Sequence, residues 1–313
     1  MNLLGWGKAF SGRTVLEKVD FKVREGEILV LIGASGSGKS TLLQIMNQLL
    51  VQDYGRVLFA GRDVAEFELV ALRRQMGYVI QSAGLFMHWT VLRNVMTVPL
   101  LLGWEKKRAR EAAMLQLEAV GLPVAHFAQL YPHELSGGQA QRVGVARALA
   151  GNPPVLLMDE PFGALDPITR ESLQQLLLSL QQQQKKTIVF VTHDMDEALR
   201  LGDRILLLQE GRVAQCATPL EILTSPANDF VRRFVGEADL GLRLLAQVKV
   251  KACMQKSDKR FEGHGEALTS ESSLKEALSR FIALGVEELP VVNEAGEAVG
   301  MLALVDVLAW SRR

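Results

Sequence analysis

The sequence predicts an α/β fold built around a parallel β-sheet. Strand-like and helix-like patterns alternate from Val19 to Leu208, which is typical of a sheet covered by crossover helices. The apolar run Glu27–Ile32 predicts a buried strand, and a helix predicted over Lys39–Leu50 follows it after a glycine-rich turn. Two later apolar runs, Val155–Glu160 and Thr187–Thr192, predict two more buried strands.

The turn between the first buried strand and its helix fits the pattern G-x-x-x-x-G-K-[ST]. In such a loop the backbone N–H groups surround phosphates, the lysine reaches the β- and γ-phosphates, and the hydroxyl binds Mg²⁺. The loop consists of Gly33, Ala34, Ser35, Gly36, Ser37, Gly38, Lys39 and Ser40. The alternative is a Gly/Ser-rich turn that binds nothing, and the complete pattern with its flanking strand and helix disfavours it.

A second glycine-containing segment lies at the predicted start of a later helix. It consists of Leu135, Ser136, Gly137, Gly138 and Gln139. Free N–H groups and the helix dipole favour an anion at such a position. A serine N-cap on a glycine-containing helix start would have the same appearance. Together with the phosphate loop, the segment predicts that ATP is bound from two sides.

Polar side chains follow three of the predicted strands. Asp159 and Glu160 end one strand, His193 follows another, and Gln81 follows a strand-like run at 76–80. Ligands of doubly wound sheets bind at the carboxyl ends of the strands, where these residues are expected. Asp159 is predicted to hold the water shell of Mg²⁺, and Glu160 to polarise an attacking water. His193 is predicted to contact the γ-phosphate, the alternative being a structural histidine.

With these residues in place, the chain resembles the ATP-binding subunit of an ATP-binding-cassette (ABC) transporter over residues 1–236. The resemblance implies a RecA-like P-loop NTPase core with a helical subdomain at about 83–150, and ATP and Mg²⁺ as cofactors. It also implies that Glu160 and His193 are catalytic. The implied ATP-binding residues are Phe10, Gly33, Ala34, Ser35, Gly36, Ser37, Gly38, Lys39, Ser40, Thr41, Gln81 and Asp159.

The same resemblance assigns three further parts. Mg²⁺ would be held by Ser40, Gln81 and Asp159, partly through water, and the segment Leu135–Gln139 would act as the signature on ATP bound to a second chain. Asp166 belongs to the D-loop, 163–166. Phe10 stands where the family usually has a tyrosine stacked on adenine, and phenylalanine keeps that π-face. The alternative for Phe10 is an ordinary core residue.

Composition agrees with an enzyme that lies outside the membrane. The chain has 313 residues, 48% of them hydrophobic, and a formal net charge of zero, which gives no basic surface for nucleic acid. Its two cysteines, Cys216 and Cys253, are too few for a disulfide framework. Residues 1–10 lack the apolar region of a signal peptide, and no stretch approaches the roughly 20 apolar residues of a membrane span. Transport therefore requires separate membrane subunits.

The pattern changes after Gly236. Residues 237–313 predict a linker and a small α+β unit with strands at Ala246–Val250, Leu289–Val292 and Val299–Leu302 and a helix over Leu274–Leu284. The run LPVVNEAGEAVG and the residues after it resemble a single cystathionine-β-synthase (CBS) domain. A cassette followed by such a domain resembles the ATPase subunits of osmoprotectant importers, which carry glycine betaine, choline, carnitine or proline betaine.

The resemblance predicts where the protein acts and with what. It implies a homodimer of ATPase subunits at the cytoplasmic face of the inner (plasma) membrane, peripheral to integral permease subunits and indirectly linked to an extracytoplasmic substrate-binding protein. The segment 82–90, with its aromatic and methionine side chains, is expected to accept a helix of the permease, the alternative being a loop that packs on its own subdomain. The alternatives are an importer of another small solute such as an amino acid, or a non-transport ABC ATPase. A P-loop kinase would have no use for the signature.

Overall fold

The strand predicted before the glycine-rich turn lies inside a six-stranded sheet in the computed structural model, which describes residues 1–10, 12–81, 84–163, 165–236, 238–256, 267–293 and 295–310. The chain divides into two compact units, Met1–Thr218 and Pro219–Arg313. The division falls before the boundary predicted at 236, because the helix Pro219–Thr224 packs against the two helices that follow it. Each unit has its own apolar core.

Strands and helices alternate through most of the first unit. Its strands are β1 (Asn2–Phe10), β2 (Arg13–Lys22), β3 (Ile28–Gly33), β4 (Tyr54–Phe59), β5 (Arg62–Asp63), β6 (Met76–Val79), β7 (Val155–Asp159), β8 (Thr187–Val191), β9 (Arg204–Gln209) and β10 (Arg212–Ala217). Its α-helices are α1 (Lys39–Met46), α2 (Leu69–Arg73), α3 (Val91–Leu101), α4 (Lys106–Ala119), α5 (Val124–Phe127), α6 (Gly137–Leu149), α7 (Pro167–Gln184) and α8 (Met195–Leu201).

The strands form two sheets. The first has the order β2-β1-β4-β5 and is antiparallel, and the second has the order β10-β9-β3-β8-β7-β6. In the second sheet β9, β3, β8, β7 and β6 are parallel, and only β10 runs against its neighbour. Every residue of β3, β7 and β8 is buried, as expected for parallel strands covered on both faces. The predicted α/β fold is confirmed.

One apolar core joins the two sheets and α1. Leu3 and Trp6 of β1 meet Leu29 and Leu31 of β3 in this core, together with Leu43 of α1, and each of them is fully buried. The core therefore fixes the start of α1 against the carboxyl end of β3. This is the place where the phosphate loop lies.

Helix α1 is shorter than the sequence predicts. The expected helix extends to Leu50, but α1 ends at Met46 because Asn47 caps it and Gln48 has a φ of 52°, in the left-handed region. The Gln48 N–H donates to the Ile45 carbonyl at 2.9 Å, three residues back, so the helical hydrogen-bond pattern stops there. Helix α4, predicted over 106–120, is confirmed, and it ends before Gly121, which has a φ of 70°.

The second unit is a small α+β structure. Its elements are α9 (Pro219–Thr224), α10 (Asp229–Val235), α11 (Leu240–Gln247), β11 (Gln255–Lys256), β12 (Leu268–Thr269), α12 (Leu274–Leu284), β13 (Glu288–Val292), β14 (Ala298–Ala303) and α13 (Leu304–Trp310). The sheet order is β11-β14-β13-β12. The predicted helix 274–284 and the two strands after it are confirmed.

The strand predicted at Ala246–Val250 is wrong. Helix α11 continues to Gln247, and a short 3₁₀ helix occupies Val250–Ala252. Leu245, Val248 and Val250 are all buried in the core of this unit. An alternation of apolar and polar residues that spans only a few positions does not separate a strand from a helix end followed by a turn.

Candidate functional site

A cavity of about 560 Å³ lies at the carboxyl edge of the parallel sheet. The phosphate loop follows β3, and the residues after β6, β7 and β8 reach the same edge because these strands are parallel. The cavity is lined by Val15, Ser35, Gly36, Gly38, Lys39, Ser40, Thr41, Gln81, Glu160 and His193. Residues from five separate segments of the chain therefore meet in one place, as the sequence predicted for most of them.

Backbone geometry explains the glycine at the end of the phosphate loop. Gly38 has a φ of 101°, a conformation that other residues rarely adopt. A Cβ atom at this position would lie 2.6 Å from Cδ2 of Leu16, a fully buried core residue. Gly33 is restricted as well, since a Cβ there would collide with the Leu208 carbonyl oxygen. The loop is thus shaped by close contact with β2 and β9.

The Lys39 ammonium holds this loop together from inside. Its Nζ atom donates to the carbonyl oxygens of Gly33 and Ala34, both at 2.9 Å. Burial lowers the pKa of Lys39, and the carboxylates of Glu160 and Asp159 oppose that effect. A buried cation with two carboxylates nearby and a row of loop N–H groups beside it is suited to a polyphosphate, which supplies compensating negative charge.

The donor set next to the loop fits Mg²⁺. The Ser40 hydroxyl donates to Oδ1 of Asp159 at 3.0 Å, which places two hard oxygen ligands side by side. Burial raises the pKa of Asp159, although the hydrogen bond from Ser40 and the Lys39 charge oppose this. Among the described residues no group of three or more His, Cys, Asp or Glu side chains is arranged to hold a metal. Mg²⁺ is usually bound by one or two protein oxygens together with substrate phosphates and water, which is the arrangement that Ser40 and Asp159 would allow.

Glu160 is held from two sides at the cavity wall. Its Oε2 atom accepts a hydrogen bond from Nε2 of Gln81 at 3.2 Å, and its Oε1 atom lies 3.5 Å from Nδ1 of His193. Its φ of 45° is in the left-handed region, and its N–H donates to the Val191 carbonyl at 3.1 Å. A carboxylate held in this way beside a phosphate loop is placed to accept a proton from water.

The signature segment is built as predicted, but it does not line the cavity of its own chain. Ser136 is the N-cap of α6: its Oγ accepts from the Gln139 N–H at 3.3 Å, and its own N–H donates to Oε1 of Gln139 at 2.9 Å. This capping box leaves the N–H groups of Gly137 and Gly138 in the first turn of the helix. These N–H groups form a position that suits an anion. They do not lie at the ATP cavity of their own chain.

The D-loop connects this region to α7. The Asp166 carboxylate caps α7 by accepting from the N–H groups of Ile168 at 3.1 Å and Thr169 at 3.0 Å. Hydrogen bonding from Thr169 lowers the pKa of Asp166, which favours the ionised form of this capping carboxylate. Ala164, in the middle of the predicted D-loop, lies outside the described residues.

Phe10 does not line the cavity, and its role in stacking on adenine stays a prediction. It ends β1 with 41% of its surface exposed, and Nζ of Lys8 lies 5.5 Å from the centre of its ring. Val15 of β2 lines the cavity in its place. The sequence reasoning missed Val15 because nothing in the local pattern separates it from the other apolar residues of β2. Gly33, Ser37 and Asp159 are buried and are not among the lining residues of the cavity, and neither is Ala34, which is exposed.

Comparison with known proteins agrees with this geometry. The model of the ABC transporter family matches residues 16–163, and that of the CBS domain matches residues 266–313. The "Glycine betaine uptake system ATP-binding protein YehX" of Escherichia coli (strain K12) is 48% identical over 301 residues, 96% of this chain and 96% of that protein. The "Choline transport ATP-binding protein OpuBA" of Bacillus subtilis (strain 168) is 42% identical over 283 residues, 90% of this chain and 72% of that protein.

Solved structures give the same result for the first unit. A dimeric post-hydrolysis state of the ATP-binding cassette MJ0796 bound to ADP and Pi is 36% identical in sequence, with a TM-score of 0.65. The match covers 70% of this chain and 98% of that one. The likeness therefore includes nearly the whole of the solved cassette.

Proposed function

This chain belongs to the family of ABC transporter ATP-binding proteins, and we propose that it is the ATP-hydrolysing subunit of an importer for osmoprotectants such as glycine betaine, choline or carnitine. The observation that carries the proposal is the similarity to a glycine betaine uptake subunit over nearly the whole of both chains, tail included. The cavity supports the ATPase part, because it joins a phosphate loop, two metal-binding oxygens and a carboxylate base.

The proposed hydrolysis uses the geometry of the cavity. The N–H groups of the phosphate loop and the Lys39 ammonium bind the phosphates of ATP. Ser40 and Asp159 would hold Mg²⁺ with help from Gln81, and Mg²⁺ bound there would supply positive charge to offset that of the phosphates. Glu160 accepts the proton of the attacking water. His193, 3.5 Å from the Glu160 carboxylate, contacts the γ-phosphate.

Coupling to a permease is proposed for the segment after Gln81. Ser82 and Ala83 lie outside the described residues, but the part from Gly84 to Thr90 is described. It exposes Phe86 and Met87, which are 42% and 58% accessible, and the Phe86 ring packs on Trp89 with 4.5 Å between the centroids. Exposed aromatic and methionine side chains are enriched at protein interfaces. Because the chain belongs to a family of transporter subunits, the proposed partner is a helix of the permease.

We expect this chain to work on membranes with partners that span them. Among the described residues no helix is both long enough and apolar enough to cross a membrane. From the likeness to subunits of uptake systems, the proposal places the chain at the cytoplasmic face of the inner membrane, bound to permease subunits and linked through them to a substrate-binding protein. A homodimer is proposed because each chain has one phosphate loop and one signature.

Reconstituted transport tests the proposal. The chain is purified with its membrane subunits and binding protein and placed in liposomes that contain MgATP. We expect ATP-dependent uptake of radiolabelled glycine betaine, choline or carnitine, and no uptake with Glu160→Gln. Uptake of methionine but of none of these three quaternary-ammonium compounds would favour the amino-acid importer. ATP hydrolysis that no membrane subunit affects would favour a non-transport ATPase.

Asn94 gives a separate prediction about coupling. It is fully buried, and its Oδ1 accepts from the Phe86 N–H at 2.8 Å while Nδ2 donates to the carbonyls of Phe86, Trp89 and Thr90 at 3.1 to 3.2 Å. Asn94→Asp removes the donor and places a carboxylate against three carbonyl oxygens, which is costly in a buried site. We expect transport to fall by about tenfold, and by much more than ATP hydrolysis. Equal losses of both activities would contradict a role in coupling.

A further inference from the structure

Glu197 is a buried carboxylate that lies outside the ATP cavity. It belongs to α8, and only 7% of its surface is exposed. Its Oε2 atom accepts a hydrogen bond of 2.6 Å from the Thr192 hydroxyl. The same hydroxyl oxygen accepts from the Asp194 N–H at 3.1 Å. One hydroxyl group therefore links the residues on either side of His193, and the Glu197 carboxylate holds that hydroxyl.

Arg170 approaches Glu197 from another direction. It belongs to α7, directly after the D-loop, and its Nη2 donates to the Leu165 carbonyl at 3.4 Å. Its Nε atom lies 3.8 Å from Oε1 of Glu197, which is beyond hydrogen-bond distance. This Nε atom is buried and has no hydrogen-bond partner among the described residues. Arg170 thus touches the D-loop at one end and faces the Glu197 carboxylate with a free donor.

A small polar cavity of about 40 Å³ lies beside this pair. Glu160 and His193 line it together with Arg170, Thr192 and Glu197. It is large enough for a water molecule and offers several polar partners. Glu160 and His193 of the proposed catalytic site therefore line the same small cavity as Arg170 and Glu197. A movement of Arg170 or Glu197 would change the surroundings of both catalytic residues.

We propose that Glu197 and Arg170 are positioning residues for ATP hydrolysis, and that they join the D-loop to the segment that carries His193. Glu197 acts through the Thr192 hydroxyl, and Arg170 acts through the Leu165 carbonyl. The inference deepens the proposed ATPase function and rests on it. Glu197 and Arg170 touch no ATP phosphate and take no proton in the proposed reaction.

The energetics favour a positioning role over a purely stabilising one. A buried ion pair adds little to stability, because the cost of desolvating the charges offsets their attraction. Here the pair is not even closed by a hydrogen bond. Burial raises the pKa of Glu197, and the hydrogen bond from Thr192 and the charge of Arg170 oppose this. Replacing a buried ion pair with apolar residues of similar volume is often neutral for stability, but apolar residues would not link the two loops.

Isosteric changes at Thr192 test the proposal. Thr192→Val keeps the shape and removes the hydroxyl, whereas Thr192→Ser keeps the hydroxyl. We expect the valine variant to lower kcat for ATP hydrolysis by about tenfold with KM for MgATP within twofold. The serine variant is expected to stay within twofold of the wild type. A kcat of the valine variant within twofold of wild type, an equal loss in both variants, or a loss that appears in KM alone would overturn the proposal.

A double-mutant cycle tests the link to Arg170. Glu197→Gln and Arg170→Gln should each lower kcat by about fivefold, and the double variant should be no worse than the single ones, because both break one connection. Glu171→Gln is the matched control: Glu171 neighbours Arg170 on α7 and forms an exposed ion pair with Arg200 at 3.0 Å. It should leave kcat unchanged. Effects that multiply in the double variant would overturn the link. A wild-type chain without ATPase activity would instead refute the proposed function.

Discussion

Glu160→Gln is expected to lower ATP hydrolysis by about 100-fold or more while ATP binding persists. The reason is that glutamine keeps the shape and the hydrogen bond from Gln81 but cannot accept a proton, and loss of a general base typically costs about 10²- to 10⁴-fold. The phosphate loop, Lys39 and the oxygens of Ser40 and Asp159 are unchanged in this variant. Phosphate release measures the turnover, and binding of radiolabelled ATP measures the affinity. Gel filtration with ATP should show a stable dimer.

Glu210→Gln is a closely matched control. Glu210 follows β9 as Glu160 follows β7, and its φ of 46° is close to the 45° of Glu160. It is exposed and does not line the ATP cavity. We expect this variant to hydrolyse ATP at the wild-type rate. Turnover of Glu160→Gln that equals the wild type in the same assay would remove Glu160 from its role as the base.

Much of this site could be predicted because its parts are local patterns on parallel strands. The phosphate loop is one contiguous segment, and its glycines are needed by the backbone itself, as the φ of Gly38 demonstrates. Asp159 ends β7, while Glu160, Gln81 and His193 come after strands, and parallel strands bring their carboxyl ends to one edge. Their proximity could therefore be predicted once these strands were recognised as parallel members of one sheet.

The remaining features depend on contacts between distant parts of the chain. Val15 lines the cavity because β2 packs beside the phosphate loop, and the position of β2 in the antiparallel sheet is a matter of tertiary pairing. The contact between Arg170 and Glu197 joins helices α7 and α8. A short sequence pattern does not indicate how two helices lie relative to each other. The end of α1 was misplaced for the same reason: Arg73 of α2 donates to the carbonyls of Asn47 and Gln48, at 3.4 and 2.7 Å, just after the helix ends. Local propensity does not determine where tertiary contacts stop a helix or divide a chain.

Two inactive variants are expected to restore ATP binding when they are mixed. Lys39→Ala removes the cation that reaches the phosphates, and Ser136→Arg places a large cation at the first turn of α6. In a head-to-tail dimer, a mixed pair has one site with both defects and one site with an intact phosphate loop and an intact signature. At equal concentrations about a quarter of the wild-type sites should form, because half of the symmetric pairs become mixed. Both variants carry Glu160→Gln, so that bound ATP is not hydrolysed during the measurement.

This expectation follows from where the signature lies. Ser136 caps α6 within its own chain, yet no residue of the segment 135–139 lines the cavity that contains Lys39. Ser273→Arg is the control for the loss of a cap, since Ser273 forms the same capping box at α12, in the second unit. Losing an N-cap costs about 1 kcal/mol at either helix, so the two arginine variants should lose similar stability. Only Ser136→Arg is expected to lose ATP binding as well. Mixtures of Lys39→Ala with Ser136→Arg that bind no more ATP than the separate proteins would show that each chain completes its own site.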